Sequence, residues 1–265
     1  DSSDYTVFLS TQSGLILVAF LIFFFTLRVM SSFSAIHGNC KFFLLLTAFG
    51  QCCILLSHTF KVCFWFTVEN FNRFVMYKQP FFKAVQPLNE FGYFLTDCNS
   101  FLLIMERTIA CSKSKSSYEE SGTHWSILIA CETICMGLSA FCAYLIHFEG
   151  RALECCLIAI SIDIVSLIVL AICFAYCRRS YANLVDVGSR YQMREVEYIT
   201  RALLPACLIT FLLRAFALAI AIFTYFKPDI FPTYIIFISA FHCIQTVNSA
   251  QYGLVIVLRH EFVSL

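Results

Sequence analysis

From Val7 to Leu27 the chain runs without one charged side chain, and six further stretches of similar length and apolarity follow it. A bilayer core about 30 Å thick needs roughly 20 apolar residues in a helix. Lipid offers the backbone no hydrogen bonds, so such a segment must satisfy its own. The seven stretches are Val7 to Leu27, Phe42 to Val68, Leu88 to Ala110, Trp125 to His147, Glu154 to Cys177, Ala202 to Phe226 and Thr233 to Leu258. Connectors such as Phe148 to Leu153 and Lys227 to Pro232 are too short to hold another domain. The expected fold is therefore all-α, a single integral membrane domain over residues 1–265 built as an up-and-down bundle of seven transmembrane helices.

Composition agrees with the lipid bilayer as solvent and partner. Hydrophobic residues make up 60% of the chain and charged ones 13%, with a mean hydropathy of +0.79, well outside the range of water-soluble domains. The 30 Phe and 12 Tyr suit lipid-facing surface and helix packing. A formal net charge of +1 gives no reason to expect nucleic acid as a partner. Most of the 15 Cys, including Cys52, Cys53, Cys131, Cys135, Cys173 and Cys207, fall inside apolar runs and read as small buried hydrophobes. No Cys/His spacing matches a zinc site, so neither a metal nor another cofactor is expected. The chain opens at Asp1 without a Met, as a piece of a longer protein would, and no basic stretch of the kind that begins a signal peptide precedes the first apolar run.

Loop charge sets the expected orientation, because cytoplasmic loops retain Lys and Arg. Eleven of the 18 basic residues fall on one side: Arg28, Lys41, Arg107, Lys113, Lys115, Arg178, Arg179, Arg190, Arg194, Arg201 and Arg259. Five, namely Arg73, Lys78, Lys83, Arg151 and Lys227, fall on the other. The bias places the amino terminus outside and the carboxyl terminus in the cytoplasm.

Five ionisable residues lie well inside the apolar segments: Lys61, Asp97, Glu132, Asp163 and Arg214. Each costs roughly 2.5 to 3.5 kcal/mol at a membrane centre unless paired or wet, so each should face the bundle interior. Glu90 and Asp97 are close to two helical turns apart and share a face with Tyr93 or Phe94 and with Phe101. Asp97, Asp163 and Arg214 fall at similar depth. Pairing of Arg214 with one of the two aspartates is the simplest way to neutralise it, serving either as a structural or switching pair or as ligand contact. His242, Gln245, Ser249 and Tyr252 form one polar stripe on the seventh segment. Ser249 and Tyr252 read as interhelical hydrogen-bonding groups, while His242 and Gln245 either do the same or line a ligand cavity open to the outside. Pro205 should kink the sixth helix and free a carbonyl.

Glu106-Arg107 stands where the third segment reaches the basic side. It is either a charge pair snorkelling to water or the acid-arginine switch of receptors of the rhodopsin kind. Asn248 and Tyr252 keep the spacing of the rhodopsin family's Asn-Pro-x-x-Tyr signature, but Ser249 takes the proline's place. The position of that family's disulfide cysteine falls near Phe82, where there is none. Cys63 with Cys155 or Cys156 offers a different bridge near the outer boundary.

The stretch Phe101-Leu-Leu-Ile-Met-Glu-Arg-Thr-Ile-Ala110, with Tyr118-Glu119 after a short basic loop, resembles the nematode serpentine chemoreceptors, most closely class e. Ser189-Arg190-Tyr191-Gln192, followed by Glu195, resembles the Arg-Tyr-Gln block that this class carries at the end of its third cytoplasmic loop. The resemblance implies a chemosensory G-protein-coupled receptor in the plasma membrane of ciliated sensory neurons, detecting a small environmental molecule and signalling through a heterotrimeric G-protein. It further implies that Glu106, Arg107, Tyr118, Glu119, Arg190, Tyr191 and Gln192 form the cytoplasmic switch and partner face. The expected ligand-binding residues are Tyr93, Asp97, Asp163, Arg214, His242 and Gln245.

An enzyme is not expected, since no His-Glu-x-x-His, Gly-x-Ser-x-Gly or intramembrane-protease aspartate pair is present. The competing reading is a membrane transporter or ion channel with Asp97, Asp163 and Arg214 along a translocation path. The chain shows no internal repeat of the kind many transporters carry.

Overall fold

The structure is a computed structural model, and it describes residues 2–32, 38–67, 80–112, 125–181, 187–226 and 246–247. Apart from Gly150 and Arg151, these residues are helical. Six long helices follow in order: α1 (Ser2–Ser32), α2 (Gly38–Thr67), α3 (Pro80–Ser112), α4 (Trp125–Glu149), α5 (Ala152–Tyr181) and α6 (Val187–Phe226). Five of them contain a whole apolar segment of the first six and extend beyond it, and α2 covers the second segment up to Thr67. The seventh segment, Thr233 to Leu258, lies outside the described residues except at 246–247.

Five of these helices contain stretches long and apolar enough to cross a membrane: Leu9–Arg28, Gly38–Phe64, Trp125–Glu149, Ala152–Tyr181 and Val196–Phe216. Their outward surfaces are those of a multi-pass membrane protein. Leu17, Leu21 and Phe24 on α1 are all more than half exposed, as are Ile134, Leu138 and Phe141 on α4 and Ile168 and Ile172 on α5. Apolar faces this continuous are tolerated where lipid covers them. At 40 residues α6 is about 60 Å long, so it projects well past a bilayer core, and its first turns carry Arg190 and Arg194. The Arg190-Tyr191-Gln192 block thus belongs to a helix already under way from Val187 rather than to the end of a loop. The helix also continues through Pro205, which lacks the N–H to pair with the Arg201 carbonyl.

The third segment is absent from those five because α3 carries Glu90, Asp97, Glu106 and Arg107. Position explains its polarity. The helix packs against α2, α4, α5 and α6 at once, so protein rather than lipid surrounds much of it. Its closest neighbour is α2, where two glycines let the backbones touch. A Cβ added at Gly92 would lie 2.6 Å from the Gly50 carbonyl oxygen, and one added at Gly50 would lie 2.5 Å from Thr96 Oγ1. Small residues at such crossings replace the hydrophobic drive that lipid removes.

Several hydroxyl groups inside the helices are satisfied locally. Thr26, Thr47, Thr96, Ser139 and Thr210 each donate to the carbonyl four residues earlier, so they enter an apolar helix without an unmet bond. Between α4 and α5 the chain reverses over Gly150 and Arg151. Gly150 adopts φ +68°, which a side chain would strain, and the Arg151 N–H closes the end of α4 on the Leu145 carbonyl at 3.1 Å.

Candidate functional site

Tyr93 and Asp97 lie one turn apart on α3, so they project from the same face. Asp163 comes from α5 and Arg214 from α6. The three charged side chains meet inside the bundle. Arg214 Nη2 donates to Asp97 Oδ1 at 2.6 Å and Nη1 donates to Asp163 Oδ2 at 2.7 Å. Depth alone suggested one aspartate as the partner of Arg214; the structure joins it to both. The two nitrogens of a planar guanidinium diverge at a fixed angle, which lets one arginine bind carboxylates on two different helices. A lysine in its place would be a single point charge.

Side-chain exposure of 10% at Arg214, 5% at Asp97 and 13% at Asp163 puts the group almost wholly inside the protein. Two carboxylates facing one guanidinium leave a formal surplus of one negative charge. The Tyr93 ring centroid lies 5.6 Å from the Arg214 guanidinium carbon, within cation–π range. Asp97 Oδ2 is buried and has no hydrogen-bond partner among the described residues. The site therefore combines an aromatic face, a held cation and a buried carboxylate oxygen with no partner among the described residues.

Toward the amino-terminal end of α3 a second polar chain crosses from α2. Lys61 Nζ donates to Gln86 Oε1 at 2.6 Å, and Gln86 Nε2 donates to Glu90 Oε1 at 2.9 Å. Lys61 is 1% exposed, so the Gln86 amide lets a buried cation and an acid share a bridge without direct contact. Glu132 on α4 is buried and accepts a long bond from Asn99 Nδ2 at 3.5 Å. All five intramembrane ionisable residues thus meet a polar partner, but Gln86 and Asn99 were not singled out in the sequence. Neither is charged, so neither stands out in an apolar stretch. Gln12 on α1 is a similar case: its Nε2 donates to Thr246 Oγ1 at 3.0 Å, and both residues are buried. This contact places Thr246, a residue of the seventh apolar segment, against α1.

At the other end of α3, Arg107 is fully buried and grips its neighbour. Its Nε reaches Glu106 Oε2 at 2.5 Å and its Nη2 reaches Glu106 Oε1 at 2.8 Å. This fork-to-fork geometry is the strong form of an arginine-carboxylate contact. The pair faces protein, which sets aside a snorkelling pair as its description. Near it the ends of α3, α5 and α6 converge: Ala110, Cys111, Cys173, Cys177, Met193 and Val196 pack as one cluster. The basic residues Arg178, Arg179, Arg190 and Arg194 belong to the same end.

Of the remaining candidates, Arg190 is exposed on α6, and the Tyr191 and Gln192 backbones are helical. His242, Gln245, Tyr118 and Glu119 lie outside the described residues. No disulfide joins the described cysteines. Cys63, Cys155 and Cys156 are free thiols, and Cys155 packs against Phe94 and Ala159 instead. No family model matches the chain, and no curated protein matches it.

Proposed function

We propose that this chain is a chemosensory receptor of the plasma membrane, a bundle of seven transmembrane helices with its amino terminus outside, which detects a small molecule and signals to a heterotrimeric G-protein. The observation that carries the reading is the Asp97–Arg214–Asp163 group. It ties α3, α5 and α6 together inside the bundle, beside an aromatic ring and a buried acceptor oxygen without a partner among the described residues. A ligand donating to Asp97 competes with Arg214 for the same carboxylate. Its binding energy is then coupled directly to how three helices pack, which is what a switch requires.

Glu106 and Arg107 lie about 15 Å farther along α3, ten residues at 1.5 Å each. In this reading Arg107 is held by Glu106 at rest and is released toward the G-protein when the bundle rearranges. Arg190, Tyr191 and Gln192 on α6, with Tyr118 and Glu119 in the connector after α3, supply the rest of the partner face. The resemblance to nematode class e chemoreceptors and the excess of basic residues on one side support the same direction.

Cells expressing the chain with a set of G-proteins and screened with small amphipathic molecules test the proposal. A ligand-dependent response that disappears in Arg107→Ala when compared at matched surface expression is expected. Substrate flux into proteoliposomes with no G-protein present, and no response in cells, would replace the receptor with a transporter or channel.

A further inference from the structure

Cys173 and Cys177 are one turn apart on α5 and project from one face, and Cys111 enters from α3 to meet both. The Cys111 sulfur lies 3.2 Å from that of Cys173 and 3.0 Å from that of Cys177. All three sulfurs lie within 4.8 Å of one another, and among the described residues no other three of His, Cys, Asp and Glu converge in this way. None of the three cysteines is more than 7% exposed. Packing of thiols as small hydrophobes accounts for burial, but it does not require three sulfurs from two helices to gather this closely.

We propose that Cys111, Cys173 and Cys177 form a trigonal thiolate site for a soft monovalent cation, Cu(I). Thiolate and thioether ligands select Cu(I), and Met193 packs against the same cluster, so the surroundings are rich in sulfur. Zn(II) wants four ligands, with water as the usual substitute for a missing one. Among the described residues no fourth Cys, His, Asp or Glu joins the group, and the three cysteines are buried in one cluster with Ala110 and Val196. As each sulfur bonds to copper its thiol proton is released. The metal keeps its oxidation state, so the step needs no oxidant. The bound ion clamps α3 to α5 one helical turn beyond Arg107. Zinc-type spacing in the sequence could not reveal such a site, because its ligands are 62 and 66 residues apart.

Anaerobic titration of the purified chain in lipid nanodiscs with Cu(I), against the chromophoric chelator bicinchoninate, tests the site. The wild-type chain should withhold one equivalent from the chelator. Cys111→Ser and Cys173→Ser should surrender it, and the double variant Cys52→Ser, Cys53→Ser should keep it. Since a serine variant can fail to fold, X-ray absorption of the wild-type chain holding one equivalent provides a readout without mutation, expected to show three sulfur neighbours. Retention of copper by folded Cys111→Ser, nitrogen or oxygen in the copper shell, no equivalent withheld, or tighter uptake of Zn(II) would each overturn the proposal.

Discussion

Arg214 on α6 donates to Asp97 on α3 at 2.6 Å across 117 residues of sequence, and the other arm of the same guanidinium holds Asp163 on α5. The contact is a three-helix joint, so the consequences of breaking it depend on which member is removed. Arg214→Leu leaves two carboxylates facing each other in a buried site. Breaking a buried pair costs roughly 3 to 5 kcal/mol, and surface expression should fall sharply. Neutralising both aspartates as well, in Arg214→Leu with Asp97→Asn and Asp163→Asn, should recover much of it. Flow cytometry on tagged variants checks this, and a triple variant no better than Arg214→Leu would show that the joint does not set stability.

Tyr93 reads the same group from its aromatic face. A cation–π contact contributes about 0.5 to 2 kcal/mol according to its desolvation. Tyr93→Leu should therefore cost the folded chain about that much, measured as a lower unfolding temperature in detergent. Tyr93→Phe should keep the cation–π part of that stability, because the ring lies over Arg214.

The Gly50 to Gly92 crossing is a separate and purely structural point. At Gly92 an added Cβ meets the Gly50 carbonyl and the side chains of Ile54 and Cys53, none able to withdraw without moving α2 from α3. Gly92→Val should abolish the folded protein, whereas Gly137→Val on α4, where nothing lies within 4 Å of the added atom, should be tolerated. Thermal unfolding in detergent compares the two.

Gln86 is the link between Lys61 and Glu90. Gln86→Leu removes both its bonds and leaves buried polar groups unmet, a loss of about 1 to 3 kcal/mol. The variant should unfold at lower temperature. Replacing Lys61 by Met and Glu90 by Gln in the same chain should lessen the loss, and a Gln86→Leu chain as stable as wild type would show that the bridge contributes nothing.

How far the sequence discloses this molecule depends on the kind of residue. Charges in apolar stretches are conspicuous, so Asp97, Asp163 and Arg214 were legible as a group at one depth. The guanidinium's grip on both aspartates was not, because depth says nothing of how helices rotate toward each other. The bridge through Gln86 is not legible in the sequence, because the apolar stretch starts at Leu88, whereas α3 begins at Pro80 and passes through Pro87. Glu106-Arg107 was visible as a dipeptide, but its burial follows from α3 being the central helix, a tertiary fact. The cysteine cluster was hidden most completely. In apolar runs a cysteine that packs and a cysteine that ligates look alike until two helices are placed side by side.

Orientation rests on the excess of basic residues on one side. An N-glycosylation acceptor fused ahead of Asp1 should be modified in cells, and one placed in the connector at 113–124 should not. The reverse pattern would invert the bundle and move Glu106 and Arg107 away from any G-protein.

Nucleotide exchange on purified heterotrimeric G-protein, catalysed by the chain in lipid nanodiscs with and without a ligand found by screening, tests the receptor reading most directly. Exchange should accelerate with ligand in the wild-type chain, lose its ligand response in Asp97→Asn, and stay at the basal rate in Arg107→Ala. Ligand binding without acceleration of exchange on any heterotrimer in the set would contradict the account.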